Sequence, residues 1–333
     1  MAATLFAMRG RVAVIKICKP PVNSLGLAVR KGIASGLDQA QSAGAKAVVI
    51  AGDGATFPAG ADIQEFAHGG HLEPPMLGSL IERISGLGMH SIAAVHGTAL
   101  GGGMELTLAC HYRLMHEKAK FGLPEVHLGI LPGASGTQRL PRLVGCEDAI
   151  KMMTTGMMIN AKAALSKGLC DEVVGATDAS VTPSETMIDR AVAFAEASLC
   201  DVPVDPKRVV ADQSVPDPGE GFFEAAKAQT KKAAKGEVRR LTLPPDSCAH
   251  WSLCAASYLA HIPHAPSYTP GPRAAHFALA PRSWLRCSLS TPSRLRSRPQ
   301  ALRLGWRRSK ASSWSSPWEI RPRRCSRSSC LSG

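Results

Sequence analysis

The chain has 333 residues, a formal net charge of +13 and ten cysteines. This length is sufficient for one large or two medium domains and for a sizeable buried core. The cysteines are scattered without a C-x-x-C pair, which excludes the usual zinc spacings and a dense disulfide framework. There is no run of 18 apolar residues and no secretory signal pattern, so we expect no membrane span and a reducing compartment.

The positive charge is concentrated at the C-terminal end. Residues 1–236 carry 23 basic and 23 acidic residues, whereas residues 237–333 carry 16 basic and three acidic ones. All five tryptophans also lie in this second part, which is rich in Ser, Pro and Arg and has no period of 2 or 3.6. Such a composition predicts a disordered tail over residues 237–333, of the kind that an alternative exon or another reading frame produces.

The first hundred residues alternate between strand and helix patterns. We predict a β-branched strand around Val12, Val14 and Ile17, followed by a helix over 27–43, a buried strand over 46–51, helical segments at 63–66 and 75–87, a strand over 91–96 and a helix over 101–110. A continuous apolar strand such as 46–51 is typical of a sheet that is covered on both faces. The alternation therefore predicts α/β layers.

The following residues are mainly helical in pattern. We predict helices over 137–144, 147–155, 161–167 and 184–199, with a short strand over 171–174. Residues 201–236 read as a polar linker followed by a helix over 221–234. The predicted organisation is thus a domain over 1–200, a linker and helix over 201–236, and the tail over 237–333.

Two glycine-rich turns are candidates for substrate contacts. The triple glycine 101–103 opens an apolar helix, whose first N–H groups and positive dipole end favour an anion. The loop 57–63 follows a buried strand, and its amides would supply a second donor, so that two N–H groups form an oxyanion hole. Each turn has a plain alternative, since a glycine cluster also makes a tight turn and Asp62 is also a suitable helix N-cap.

Two carboxylates accompany these turns. Glu105 lies in the first turn of the helix after the triple glycine, and Glu125 follows in a Gly-Leu-Pro-Glu turn. Both have apolar neighbours, where an unpaired carboxylate is costly to bury. Taken singly, each is equally compatible with a helix cap or a surface position. Together with two glycine-rich turns they predict acid–base chemistry on a substrate that develops negative charge.

Several linked motifs resemble one family, the crotonase (enoyl-CoA hydratase/isomerase) superfamily. They are GADI, HGTALGGGMEL and FGLPEVHLGILPGASGTQRLPRLVG, supported by KPPVNSL near the start, and the resemblance covers roughly residues 5–200. It implies a spiral of ββα units with C-terminal helices. The stretch ACHYRLMHEKAKFGLPEVHLG is most similar to the bifunctional members that act in peroxisomal fatty-acid β-oxidation, in which a hydratase/isomerase part precedes a dehydrogenase part.

The resemblance also implies roles for individual residues. Ala61 and Gly102 would donate backbone N–H groups to the thioester oxygen, and Glu105 and Glu125 would be the two catalytic glutamates. The loop that lines the acyl-CoA pocket would include Ala59, Asp62, Ile63 and Gln64. The implied reaction is hydration of a trans-2-enoyl-CoA to a 3-hydroxyacyl-CoA, without a metal or a redox cofactor. The conversion of a 3-enoyl-CoA into its 2-enoyl isomer is an alternative that uses the same oxyanion hole.

Other polar residues near these motifs have weaker interpretations. We expect a structural role for the four histidines that lack metal spacing, namely His96, His111, His116 and His127. Arg139 and Arg142 would cap the helix that begins near Ser135, meet a CoA phosphate or form surface salt bridges. We expect no metal ligands among these residues.

The chain departs from the bifunctional pattern after about Gly236. No G-x-G-x-x-G fingerprint follows residue 200, so we expect no NAD site and no dehydrogenase activity. The C-terminus, Leu331-Ser332-Gly333, is not an S-K-L peroxisomal address. A peroxisomal location therefore follows from the resemblance alone, and the cytoplasm is the alternative.

Two further hypotheses stay open. One is an inactive truncated fragment that lacks the dehydrogenase part. The other is nucleic-acid binding through the Arg- and Trp-containing tail, which we do not favour because the tail contains no recognisable module. The acyl-chain length, to which the loop 67–75 would contribute, and the oligomeric state are not predicted.

Overall fold

The computed structural model describes residues 2–175 and 180–233. The tail over 237–333, predicted to be disordered, lies outside the described residues. Within them the chain forms, in order, β1 (Thr4–Arg9), β2 (Val12–Ile17), α1 (Leu27–Ser42), β3 (Ala47–Gly52), α2 (Ile63–His68), α3 (Leu77–Ser85), β4 (His90–Val95), β5 (Thr98–Leu100), α4 (Gly102–Ala109), β6 (Tyr112–His116), β7 (Lys120–Gly122), α5 (Gly136–Thr155), β8 (Met158–Asn160), α6 (Ala161–Ser166), β9 (Glu172–Val174), α7 (Pro183–Ser198) and α8 (Phe222–Ala233).

The strands build two sheets. The larger has the order β1-β2-β3-β4-β6-β9, in which β1 and β2 form an antiparallel hairpin and the other neighbours are parallel. The smaller has the order β5-β7-β8, with β5 parallel to β7 and β8 antiparallel to it. In the small sheet, β5 and β7 directly follow β4 and β6 of the large sheet along the chain, whereas β8 follows α5.

The large sheet is covered on both faces. Every residue of β3 and β4 is buried, as their unbroken apolar sequences predict. Ile15, Val48 and Ile50 belong to the main core together with the inner face of α1, whereas Val14 and Val49 contact the other core cluster, which includes Met187 and Ile188 of α7. The predicted α/β layering is confirmed.

Most predicted elements are confirmed to within about two residues. The predicted break between helices at 144–147 is also present, since Gly145 has non-helical torsion angles (φ 79°, ψ 168°) inside α5. Strands β1, β5, β6, β7 and β8 were not predicted. In the described part of the chain, no helix has both the length and the hydropathy that crossing a bilayer requires. The domain boundaries at residues 200 and 236 stay predictions.

Candidate active site

The loops that follow β3 and β4 are bonded to each other along their length. The N–H of Phe57 donates to the carbonyl of His96 at 2.9 Å, and the N–H of Thr98 donates to Oγ1 of Thr56 at 2.8 Å. The Thr56 hydroxyl in turn lies 2.8 Å from the Thr98 carbonyl. These contacts bring the loop 57–62 against the strand that leads into α4.

A glycine is required where this strand turns into α4. Gly101 has φ 51°, a torsion angle that L-residues with a side chain rarely adopt, and its N–H donates to the carbonyl of Gly122 at 2.9 Å. A Cβ atom at this position would lie 3.0 Å from Oε1 of Glu125. The turn therefore lets the backbone approach the second carboxylate closely.

The two predicted oxyanion donors lie side by side. A Cβ atom built on Gly102 would be 3.6 Å from the backbone nitrogen of Ala61. Gly102 is the first residue of α4, so its N–H has no acceptor within the helix and lies at the positive end of the helix dipole. The structure thus brings together the two turns in which the sequence placed the donors.

Glu105 is held by backbone amides from a distant part of the chain. Its side chain lies on α4, and the residue is only 2% exposed. Oε1 accepts hydrogen bonds from the N–H groups of Ala134 at 2.8 Å and Gly136 at 2.7 Å. A Cβ atom at Gly136 would lie 2.9 Å from the same oxygen, so this anchor depends on a glycine. One carboxylate oxygen is therefore fixed by two donors.

Glu125 has a different environment. It lies in a 3-10 turn over Pro124–Leu128 that begins with proline, and it is 8% exposed. Its Oε2 atom is buried and has no hydrogen-bond partner among the described residues. A carboxylate with one unpartnered oxygen, next to the Gly101 turn, is free to bond to a substrate or to exchange a proton with it.

Burial raises the pKa of both carboxyl groups. Desolvation is the main cause of a Glu105 pKa of about 7, and the charge of Glu125 raises it further, while hydrogen bonds from Gly136 and Ala134 and the charge of Arg139 lower it. Desolvation also raises the pKa of Glu125 to about 7. Near neutral pH the pair therefore supplies both an acid and a base, as acid–base catalysis requires.

The residues of the predicted pocket-lining loop lie on both sides of Ala61 in the sequence. The N–H of Ala59 donates to the carbonyl of Val22 at 3.0 Å. Asp62 is the N-cap of α2, because its Oδ1 accepts from the N–H of Gln64 at 3.1 Å, and its Oδ2 accepts from Ser24 at 3.3 Å. The N-cap alternative is thus confirmed for Asp62. Ile63 and Gln64 are exposed beside it, and their contact with substrate stays a prediction.

Sequence reasoning missed the residues that hold Glu105. Ala134 and Gly136 act through backbone N–H groups, on either side of Ser135 (φ 75°) at the start of α5. Arg139, one helical turn further on, is buried, forms a salt bridge to Glu82 at 3.1 Å and contacts the Ser135 hydroxyl. One signal for this contact is present in the sequence. The run Gly-Ala-Ser-Gly at the start of the helix consists of small residues, which leave room for a carboxylate close to the backbone.

The remaining polar residues make local contacts. Arg142 donates to the carbonyl of Gln213 at 2.9 Å. The four histidines each have a ring nitrogen bonded to backbone, namely His96 to Gly54, His111 to Ser91, His116 to Lys118 and His127 to Thr155. Across residues 2–175 and 180–233, no three His, Cys, Asp or Glu side chains are grouped in a way that suits a metal ion.

Comparison with known sequences identifies related proteins. The model of the family described as "Enoyl-CoA hydratase/isomerase" matches residues 7–200. A peroxisomal bifunctional enzyme of Danio rerio is 42% identical over 244 residues, which are 70% of this chain and 32% of that protein. A probable enoyl-CoA hydratase of Bacillus subtilis (strain 168) is 45% identical over 54% of this chain and 70% of its own. The chain spans about a third of the length of the bifunctional enzymes that it matches.

Solved structures show the same relationship. An enoyl-CoA hydratase from Bacillus anthracis superposes with a TM-score of 0.53 at 28% identity, covering 78% of this chain and 91% of that one. A carnitinyl-CoA hydratase from Mycobacterium avium superposes with a TM-score of 0.54 at 32% identity, covering 75% and 97%. The large sheet, the two glycine-rich turns and the family match over residues 7–200 lead to one conclusion: the chain belongs to the enoyl-CoA hydratase/isomerase family.

Proposed function

We propose that the protein hydrates trans-2-enoyl-CoA thioesters to 3-hydroxyacyl-CoA thioesters. The observation that carries the proposal is the pair of buried carboxyl groups, Glu105 and Glu125, each with a pKa of about 7, next to the N–H groups of Ala61 and Gly102. An ionised and a protonated carboxyl group are thus available together near neutral pH. Adding water across a double bond requires both a base and an acid.

The oxyanion donors activate the substrate. In the proposed complex the thioester oxygen accepts hydrogen bonds from Ala61 and Gly102, so the carbonyl withdraws electrons from the conjugated double bond and C3 becomes electrophilic. The same donors stabilise the enolate that forms when water attacks. Donors of this kind contribute on the order of 10²–10³-fold to the rate.

The two carboxyl groups then divide the proton transfers. The ionised carboxylate of Glu105, oriented by Ala134 and Gly136, takes a proton from water as its oxygen bonds to C3. The protonated carboxyl of Glu125 gives its proton to C2. One water molecule is consumed, and the proton on Glu105 returns to Glu125 through solvent before the next cycle. The reaction uses only groups of the chain, and we propose no metal or redox cofactor for it.

The unpartnered Oε2 of Glu125 favours isomerisation as a second activity. A free carboxylate oxygen beside the oxyanion hole could remove a proton from C2 of a 3-enoyl-CoA and return it to C4, again through an enolate. The two reactions differ in whether Glu105 is needed. Hydration needs both carboxyl groups, whereas isomerisation needs Glu125 alone.

The location that we propose is the peroxisome, in fatty-acid β-oxidation. It is supported by curated relatives from Danio rerio and Homo sapiens that are peroxisomal bifunctional enzymes, at 42% and 38% identity. Imaging of the full chain with an N-terminal fluorescent tag and a peroxisomal marker tests this location, and a uniform cytoplasmic signal would contradict it.

Loss of the conjugated-thioester absorbance of a trans-2-enoyl-CoA tests the main proposal. The wild type should hydrate the substrate, and Glu125→Gln should lower kcat by about 10²–10⁴-fold, the usual contribution of a general acid or base. Glu117→Gln, which replaces an exposed carboxylate outside the site, is the matched control. A soluble, cooperatively melting wild type without hydratase activity would overturn the proposal, and a 3-enoyl-CoA would then test isomerisation.

A further inference from the structure

One buried arginine that bonds to neither Glu105 nor Glu125 has every donor engaged. Arg30 lies on α1 and is 2% exposed. A guanidinium has five N–H donors. In Arg30 all five have an acceptor: Nε bonds to the carbonyl of Pro75 at 2.8 Å, Nη1 to that of Leu25 at 3.2 Å and to Glu65 Oε2 at 2.8 Å, and Nη2 to the carbonyls of Gly70 at 2.9 Å and Glu73 at 3.3 Å.

Four of these five bonds go to a single stretch of chain, residues 62–75, which we call the 62–75 segment. Glu65 strengthens the attachment, since its other oxygen, Oε1, accepts from the N–H of Leu27 at 2.5 Å. A Cβ atom at Gly26 would lie 3.0 Å from that oxygen. Arg30 and Glu65 thus tie the middle and the end of the segment to the start of α1.

The 62–75 segment begins one residue after the oxyanion donor Ala61. It exposes large apolar side chains, with Ile63 at 66%, Leu72 at 64% and Phe66 at 46% exposure. The Glu65 carboxylate and the carbonyls of Gly70, Glu73 and Pro75, in contrast, face inward onto Arg30. Apolar side chains exposed together next to a reaction site are suited to cover the apolar part of a ligand.

We propose that Arg30 is a positioning and specificity-determining residue, which fixes the 62–75 segment as the wall of the acyl-chain site and so sets the acyl length that the enzyme prefers. The inference rests on the proposed function, because it takes an enoyl-CoA as the substrate. The buried ion pair between Arg30 and Glu65 is by itself weak support for a stabilising role. The Arg30 side chain, however, also donates hydrogen bonds to four backbone carbonyls. Lysine, with three donors and no planar fork, does not reproduce this arrangement.

Kinetics over a series of trans-2-enoyl-CoA substrates with 4, 10 and 16 carbons tests the proposal. Arg30→Lys should raise KM for the 10- and 16-carbon substrates by about tenfold, the equivalent of losing contact with about two methylene groups, and change kcat for the 4-carbon substrate little. Glu65→Gln, which keeps the shape of the side chain, should shift KM in the same direction by a smaller factor and serves if Arg30→Lys does not fold.

Arg83 provides a matched control. It also joins α3 to α1, through the carbonyl of Ala34 at 3.2 Å and Asp38 at 2.6 Å, but makes no bond to the 62–75 segment. Arg83→Lys should leave the chain-length profile unchanged. An equal loss at all three chain lengths in Arg30→Lys, or the same profile in Arg83→Lys, would overturn the proposal.

Hydrogen–deuterium exchange of the backbone amides over 63–75 gives a second readout that does not depend on activity. Exchange should be faster in Arg30→Lys than in the wild type and unchanged in Arg83→Lys. Unchanged exchange in Arg30→Lys would refute the proposed fixing of the 62–75 segment by Arg30, even if the wild type hydrates no substrate. A wild type without hydratase activity but with faster exchange in the variant would refute the proposed function and the acyl-length preference, and would support only the fixing of the segment by Arg30.

Discussion

Gly103 lies so close to the carbonyl oxygen of Pro58 that a Cβ atom at position 103 would be 1.8 Å from that oxygen. Pro58 belongs to the loop that leads to Ala61, and Gly103 is the second residue of α4, which begins at Gly102. This contact therefore limits how near the backbone N–H groups of Ala61 and Gly102, the proposed oxyanion donors, approach each other. Gly103 is therefore needed because its missing side chain leaves room for the Pro58 carbonyl, whereas Gly101 is needed for its positive φ and Gly102 provides the first N–H group of α4.

We predict that Gly103→Ala destabilises the protein by about 3 kcal/mol, at the upper end of the cost of overpacking, because backbone would have to move on both sides. The melting temperature should fall by about 10 °C for a domain of this size. Gly78→Ala is the control, since Gly78 lies in α3 with no atom within 4 Å of the new methyl group, and helix propensity predicts a gain of about 1 kcal/mol. Equal stability of the two variants would contradict the prediction.

The raised pKa of Glu125 predicts how stability changes with pH. Between pH 4.5 and about 7 the folded state keeps a proton that the unfolded state has lost, so stability falls as pH rises through this window. The loss is on the order of 3 kcal/mol for this group, at about 1.4 kcal/mol per pKa unit. Glu125→Gln does not ionise, and should be more stable than the wild type at pH 8 but not at pH 4.

Denaturant unfolding of both proteins at pH 4, 6 and 8 measures this difference. Glu117→Gln, which removes an exposed negative charge, controls for the change in net charge. If Glu125→Gln shows a constant difference from the wild type across these pH values, the carboxyl group does not titrate in the way that its burial predicts.

Arg139 should control the charge state of Glu105. Its positive charge lowers the pKa of Glu105, and it contacts the Ser135 turn that presents the Ala134 and Gly136 amides. In Arg139→Met the pKa of Glu105 rises further, so the acid limb of the kcat/KM profile moves to higher pH. We expect a loss of about tenfold or more at neutral pH, because the orientation of the base is also disturbed.

Glu82→Gln distinguishes the effect of the Arg139 charge on Glu105 from the effect of the salt bridge between Arg139 and Glu82. Glu82 pairs with Arg139 at 3.1 Å, but its side chain is 65% exposed, so the pair itself should contribute less than about 1 kcal/mol. The variant keeps the Arg139 charge next to the Ser135 turn. A pH profile that shifts equally in Glu82→Gln and Arg139→Met would show that the surface pair, and not the buried charge, is responsible.

Asn23 should be essential for the loop that follows β3. It is buried with φ 54°, accepts from the N–H of Lys19 at 2.8 Å, and donates to the carbonyls of Asp53 at 2.9 Å and Thr56 at 2.7 Å. Asn23→Ala loses three hydrogen bonds, each worth about 1 kcal/mol, and places a methyl group at positive φ. Asn23→Gly loses the same bonds without this strain, and urea unfolding should show it to be about 1 kcal/mol more stable than Asn23→Ala.

The sequence predicted the structure best where a pattern of neighbouring residues is sufficient to determine the local conformation. The unbroken apolar run of β3 predicts a strand buried on both faces, and the triple glycine before Glu105 predicts the turn into α4. Both are present. Strands β5 and β7 have three residues each, too few for a period of 2 to be visible, and their pairing depends on chain that is distant in sequence.

The supporting contacts of the site were not predictable in the same way. Ala134 and Gly136 hold Glu105 through backbone N–H groups, which every residue except proline carries, so no side chain in the sequence identifies them. Arg30 and Arg139 are charged residues in helices, which ordinarily predict exposure, and both are 2% exposed. Their burial follows from tertiary contacts to carbonyls and carboxylates that no local pattern records.

The pairing of two carboxyl groups that both titrate near pH 7 couples substrate affinity to proton exchange. If the substrate is the proposed thioester, its binding next to Glu105 and Glu125 further desolvates the pair and changes its proton affinity, so binding takes up or releases protons. The heat of binding measured by calorimetry then depends on the ionisation enthalpy of the buffer. A change of pH around 7 would therefore alter the occupancy of the site by the proposed substrate as well as the rate of the chemical step.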